Sequence, residues 1–185
     1  MRDWFRSTKV LIFKFFFAVP AFVISISPAL AEALEISNFG HSSMLIRGGG
    51  KSVLLNPFKP VGCASGLTEP NISADVILSS SILPDEGSNS IGKGLFLVKP
   101  GSYLINGISF EGTESPHDRV GGRRFGMSTL WKWEQGGLSF AHLGGAAAPL
   151  TIENRLIIGN PDVLFIAVGG GSKIYNGQEA AKVVD

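Results

Sequence analysis

Asp75-Val76-Ile77-Leu78-Ser79-Ser80-Ser81-Ile82-Leu83-Pro84-Asp85-Glu86-Gly87-Ser88 is the stretch whose reading decides the fold. Residues 76–79 form an apolar run short enough for a buried strand. A polar turn follows and ends in Pro84-Asp85-Glu86, placing two carboxylates beyond a strand end.

Working outward, residues 34–38 and 43–46 read as short strands joined through Phe39-Gly40-His41. Gly48-Gly49-Gly50-Lys51 makes a turn, and residues 53–56 resume an apolar strand before Pro57. Residues 59–73, rich in Pro, Gly and Ser, read as a long surface loop. Downstream, residues 88–94 are loop, and 95–98 form a strand closed by Pro100-Gly101. Residues 103–105 and 108–110 flank Asn106-Gly107, whose tolerance of positive φ marks a tight hairpin. A second hairpin pairs 129–134 with 138–142 across Gln135-Gly136-Gly137. Residues 151–158 have helical spacing, with Thr151 as N-cap and Asn160-Pro161 as the stop. Residues 163–168 read as a buried strand ending in Gly169-Gly170-Gly171, and Asn176 can cap a last helix over 177–184. Hairpins followed by strand–helix alternation favour an α/β domain of layered sheets.

The N-terminus has a different character. Arg2, Arg6 and Lys9 precede an apolar run over 15–26, then Pro28 and Ala29-Leu30-Ala31. A charged start, an apolar core and a small-residue cleavage site describe a secretory signal peptide over residues 1–31, leaving one domain over 32–185. An uncleaved anchor is the other reading, although Lys14 and Pro20 interrupt a span that needs about 20 apolar residues. The formal charge of +1 owes much to this segment. Without it, 12 basic and 14 acidic residues remain, and that balance excludes a nucleic-acid footprint. Cys63 is the single cysteine, so no internal disulfide forms. It reads as a packed or loop residue more readily than as a reactive thiol.

Several segments, in this order, resemble the small metal-dependent hydrolases of the metallo-β-lactamase superfamily, in particular the ascorbate-lactonase-like branch. Phe39-Gly40-His41-Ser42-Ser43 is similar to that branch's Gly-His-Ser-Ser hairpin, and Leu55-Asn56-Pro57-Phe58 to its Ile-Asp-Pro-Phe strand end. Pro100-Gly101-Ser102-Tyr103 with Asn106-Gly107 resembles the hairpin before the third metal histidine, and Pro116-His117-Asp118 the segment that supplies it. Ala141-His142-Leu143-Gly144 resembles the His-Leu-Gly-Asp strand end, and Val168-Gly169-Gly170 the late Val-Gly-Gly turn. The resemblance implies a metallo-β-lactamase-like αβ/βα sandwich with its site at strand ends between the sheets. His41, Asn56, Asp85, His117 and Gly145 all follow expected strands, in agreement with that placement.

The resemblance also identifies what is missing. A hydrolytic metal centre needs at least three converging His, Asp or Glu ligands and an open position for water. The family's His-x-His-x-Asp-His reads Ser81, Leu83, Asp85 and Glu86 here. The bridging aspartate reads Gly145, and an aspartate that supports the site reads Asn56. Asp85, Glu86 and His117 remain, with His41 nearby in the family's geometry. Losing carboxylates at 56 and 145 relieves the repulsion they would suffer in a cation-free pocket.

Blander roles compete for the survivors. His41 can hydrogen-bond backbone in its turn, and His142 is expected to be satisfied by a neighbouring carbonyl. His117 and Asp118, adjacent on an extended segment, should face opposite ways. Arg119, Arg123 and Arg124 could meet an anion or simply face water. Gly169-Gly170-Gly171 lacks the spacing of a phosphate loop. A Ser81–His117 catalytic pair would need the two side chains within about 3 Å.

The pattern points to an exported pseudo-hydrolase, a non-catalytic binding or assembly subunit with no cofactor. Its expected partner is a protein or a multi-subunit complex, with no nucleic acid, and with membrane contact only through an uncleaved N-terminus. Export implies a periplasm, or a thylakoid lumen in a photosynthetic source. The alternative is a lactone- or phosphodiester-type hydrolase with one divalent metal (Zn, Mn or Fe) on Asp85, Glu86 and His117. A third reading, a truncated or decaying product, comes from the family's last histidine, expected on a strand beyond Asp185. Lack of that strand would leave a sheet edge unpaired and predicts poor solubility unless a partner covers it.

Overall fold

The structure, a computed structural model, describes residues 33–184. The signal-peptide segment lies outside them. No described helix is long and apolar enough to cross a membrane.

Two five-stranded sheets carry the fold. The first is formed by β1 (Glu35–Asn38), β2 (Met44–Gly48), β3 (Lys51–Leu55), β4 (Ser73–Leu78) and β5 (Lys93–Leu97), in that spatial order. The second contains β6 (Gly101–Ile105), β7 (Ile108–Pro116), β8 (Met127–Gln135), β9 (Leu138–His142) and β10 (Val163–Phe165), ordered β10-β9-β8-β7-β6. Both are mixed. β4 runs parallel to β3 and β5, and β10 runs parallel to β9, whereas the hairpins are antiparallel. Parallel neighbours require crossover connections. Residues 56–72 and 79–92 make two of these, and both leave the carboxyl ends of their strands, where α/β folds build sites.

Alternation along the strands sorts side chains into layers. Ile46, Val53, Leu55, Val76 and Leu78 from the first sheet meet Phe110, Trp131, Trp133 and Phe140 from the second in the principal core. Trp133 stacks on Phe140 at a centroid distance of 5.2 Å. The outer face of the second sheet packs Leu130, Ala141 and Leu143 beneath the helices α1 (Ile152–Ile158) and α2 (Gly177–Val184). This is the α/β metallo-β-lactamase-like sandwich that the sequence implies.

Hydrogen bonds tie the sheets together across the core. Trp131 Nε1 donates to the Ser79 carbonyl at 2.9 Å, and the Thr129 amide donates to the Ser80 carbonyl at 2.7 Å. Gln135, expected in a turn, instead ends β8 and is buried. Its amide reaches the carbonyls of Ile46, Gly48 and Lys51.

The Asn106-Gly107 hairpin forms as expected, with φ of 52° and 83° at the two turn residues. Thr151 caps α1, and Asn154 completes a reciprocal capping box with it. Asn176 and Glu179 exchange the same pair of bonds at α2. The loop expected over 59–73 contains a 3₁₀ turn at Gly62–Ala64 and ends where β4 begins at Ser73.

The strand expected over 163–168 stops at Phe165. The Leu143 amide bonds the Phe165 carbonyl at 2.9 Å, and the chain beyond β9 then turns at Gly144 (φ 51°). Residues 166–168 therefore lose their strand partner and line a cavity instead.

Candidate functional site

Strand ends from both sheets converge on one region. Asn56 follows β3 with φ 40°, a conformation that asparagine tolerates better than most residues. It is fully buried. Its Oδ1 accepts the Ser80 amide at 2.7 Å, and its Nδ2 donates to Ser80 Oγ at 2.9 Å and Ser42 Oγ at 3.2 Å. An aspartate could not make the two donor bonds, so the amide suits a network of hydroxyls rather than a cation. Ser80 Oγ passes the network on, donating to Glu86 Oε1 at 3.2 Å.

Glu86 and His117 form the centre. Nε2 of His117 lies 2.9 Å from Glu86 Oε2, within ion-pair range, and both side chains are buried. Neither Nε2 nor Nδ1 has a hydrogen-bond partner among the described residues, so the contact with Glu86 is one of close approach and charge rather than of aligned hydrogen bonding. Burial pushes the Glu86 carboxyl up, but His117, Lys173 and Ser80 together hold it below the usual carboxylate range.

Asp85 sits beside this pair with partners of its own. Its Oδ2 accepts the Cys63 amide at 3.1 Å and lies 3.3 Å from Lys173 Nζ. Burial raises its carboxyl, and these two partners more than offset that, leaving it lowered. Lys173 belongs to the glycine-rich loop after β10, and its ammonium stands 5.1 Å from the centroid of the Phe125 ring.

Gly145, the position that the family resemblance matches to a bridging aspartate, is the most informative. A Cβ built on Gly145 would lie 2.0 Å from His117 Nε2 and 2.5 Å from Glu86 Oε1. The space an aspartate side chain would enter is thus filled by the Glu86–His117 pair. At the other ligand positions, Ser81 Oγ accepts the Leu83 amide at 3.2 Å and Leu83 has no ligating atom. Among the described residues, no group of three or more His, Cys, Asp or Glu is placed to hold a metal ion. The residues present do not fit the family's metal centre.

The remaining candidates are engaged elsewhere. Ser81 and His117 share no hydrogen bond, so the catalytic pair considered from sequence is not assembled in this arrangement. His41 (φ 51°) packs edge-on against Phe58 at 6.0 Å. Its turn is held by Asn38, Gly40 and Ser43 rather than by its imidazole. Asp118 turns away from His117 and accepts the amides of Val120, Gly122, Arg124 and Phe125. Burial opposes ionisation there, but these four donors bring its carboxyl to about 2.

The arginine cluster is dispersed. Arg119 pairs with Glu179 and donates to the carbonyls of Gly171 and Ile174, Arg123 donates to the Val120 carbonyl, and Arg124 lies over Phe125. His142 departs from expectation: neither ring nitrogen has a hydrogen-bond partner among the described residues, and burial pushes its pKa down to about 4.

Above the centre lies a cavity of about 700 Å³, bordered by His41, Cys63, Glu86, Phe125, Gly144 and residues 166–174. Sequence reasoning missed Lys173 entirely. Its one available signal was position, a lysine two residues beyond the glycine run at the family's late Val-Gly-Gly turn.

Fold and site geometry together define a protein of metallo-β-lactamase architecture. Residues 35–185 match the family described as the beta-lactamase superfamily domain, and the chain belongs to that family. Among solved structures it is similar to a Thermotoga maritima protein described as a candidate zinc-dependent hydrolase of the metallo-β-lactamase superfamily. That likeness has 31% identity, 83% of this chain and 70% of that one covered, and a TM-score of 0.65. A candidate metal-dependent hydrolase from Parabacteroides distasonis shares the fold at 16% identity, with 81% and 76% covered and a TM-score of 0.57. An isothiocyanate hydrolase from Delia radicum gut bacteria does so at 10% identity, with 80% and 79% covered and a TM-score of 0.57. No curated protein matches the sequence.

Proposed function

We propose that this chain is an exported, non-catalytic member of its superfamily, a binding or assembly subunit in which hydrogen bonds and ion pairs have replaced the metal centre. The observation that carries the reading is the geometry at Gly145, where His117 and Glu86 occupy the space of the bridging aspartate. Asn56, Ser80, Glu86 and His117 form a continuous polar chain, and each acidic group already has a counter-group within the protein. Hydrolysis by the family's chemistry needs a polarising cation and an activated water, and these residues supply neither. The cavity bordered by Phe125 and residues 166–174 remains large enough for a small ligand or a peptide segment of a partner. Ascorbate-lactonase-like ancestry, an exported location in a periplasm or thylakoid lumen, and a protein partner complete the proposal.

Elemental analysis of the full chain, purified without chelator alongside His117→Ala, tests it. The expected result is far less than one metal per chain in both proteins, and no turnover of lactones or phosphodiesters. Near-stoichiometric zinc, iron or manganese that disappears in His117→Ala would overturn the reading in favour of a mononuclear hydrolase using Asp85, Glu86 and His117.

A further inference from the structure

We propose that the Lys173 ammonium is the protein's own substitute for the lost metal charge, an internal cation that neutralises the Asp85–Glu86 corner and makes its folding independent of metal. The inference rests on the proposed loss of the metal centre and identifies what took its place.

Asp85 and Glu86 are consecutive, and both are buried. Two neighbouring carboxylates removed from water repel each other and lose hydration, so a positive group nearby is needed to keep both ionised. His117 contacts Glu86 at 2.9 Å, leaving Asp85 to be balanced. Lys173 Nζ supplies that charge at 3.3 Å, on a side chain that is 22% exposed against 10% for Asp85.

The lysine is held there by a structured loop. Gly170 and Gly171 adopt φ of 77° and 78°, a left-handed turn that reverses the chain after β10. The Gly170 amide bonds the Tyr175 carbonyl at 2.8 Å, and Arg119 clamps the carbonyls of Gly171 and Ile174 on either side of Lys173. Phe125 offers its ring to the cation from the opposite wall. Cys63 presents its amide to the same carboxylate oxygen that Lys173 approaches. Asp85 therefore has a fixed donor and a fixed cation, and both come from the chain.

Thermal unfolding of the full chain provides the test, using wild type, Lys173→Met, Asp85→Asn, their double variant and Lys173→Arg. Charge compensation predicts that Lys173→Met lowers the melting temperature by several degrees, that Lys173→Arg recovers part of the loss, and that the double variant loses clearly less than the two single losses added together. Wild type should melt at the same temperature with EDTA or with added Zn²⁺. If Lys173→Met does not fold, folding of the double variant would be the same compensation, and failure of both would overturn it. Additive losses, or a Lys173→Met variant as stable as wild type, would also overturn it while leaving the metal-free reading intact. A wild-type protein that carries stoichiometric metal and melts earlier in EDTA would sink both.

Discussion

At Gly145 the absence of a side chain is itself a requirement of packing. A Cβ there would overlap His117 Nε2 at 2.0 Å, and both neighbours are buried side chains with little room to yield. Overpacking of this kind costs about 1–3 kcal/mol. Gly145→Ala should therefore lose about that much in chemical denaturation, and Gly145→Asp more, because it adds a third carboxylate beside Glu86. Gly145→Asp alone should not create metal binding. A Gly145→Asp protein of undiminished stability would show that the Glu86–His117 pair gives way. The sequence displays a bare glycine at 145, but only the surrounding side chains show that no room is left beside it.

Among the elements, α1 shows how one side chain can both start a helix and dock it. Asn154 Oδ1 accepts the Thr151 amide at 3.1 Å, and its Nδ2 donates to Thr113 Oγ1 and the Glu114 carbonyl on β7. Thr151 contributes only the cap, accepting the Asn154 amide at 3.1 Å. Losing a cap costs about 1 kcal/mol. Leaving a buried polar group without its partner costs about 1–3 kcal/mol more. Asn154→Ala should thus be the more damaging change, about 2–4 kcal/mol against about 1 for Thr151→Ala, as measured by urea unfolding. Equal losses would mean that the contact with β7 contributes nothing. The helix and its Thr151 cap are legible in the sequence because capping is local. The docking role of Asn154 is not, since Thr113 lies 41 residues away.

For the whole molecule, His142 should govern stability in mild acid. It is buried at the end of β9, its ring nitrogens have no hydrogen-bond partner among the described residues, and its pKa falls from 6.5 to about 4 because burial disfavours the charged form, against the attraction of Glu86. The unfolded chain takes up a proton near 6.5, whereas the folded protein resists until about 4. Below 6.5 the unfolded state binds more protons, so the contribution is complete above 6.5 and is lost as pH falls towards 4. A shift of this size corresponds to about 3 kcal/mol. Asp118 and Glu179, both held near 2, act only in stronger acid. His142→Leu should flatten the stability profile between pH 6.5 and 4, measured by denaturation at a series of pH values. An unchanged slope would assign the acid sensitivity to other groups.

The sequence by itself determined what is local or periodic. The Asn106-Gly107 turn follows from backbone freedom, the strands from alternation, and α1 from its cap. That Leu83 and Gly145 carry no ligating side-chain atom is likewise a matter of residue identity. Only the tertiary structure decided what surrounds these positions. Lys173 and Asp85 are 88 residues apart, and Gln135 reaches carbonyls 84 to 89 residues away. Such pairs depend on where separate strand ends come together, and no spacing in the chain encodes that. The early end of β10 has the same origin, because a strand lasts only as long as its neighbour runs beside it, and the chain beyond β9 turns away at Gly144.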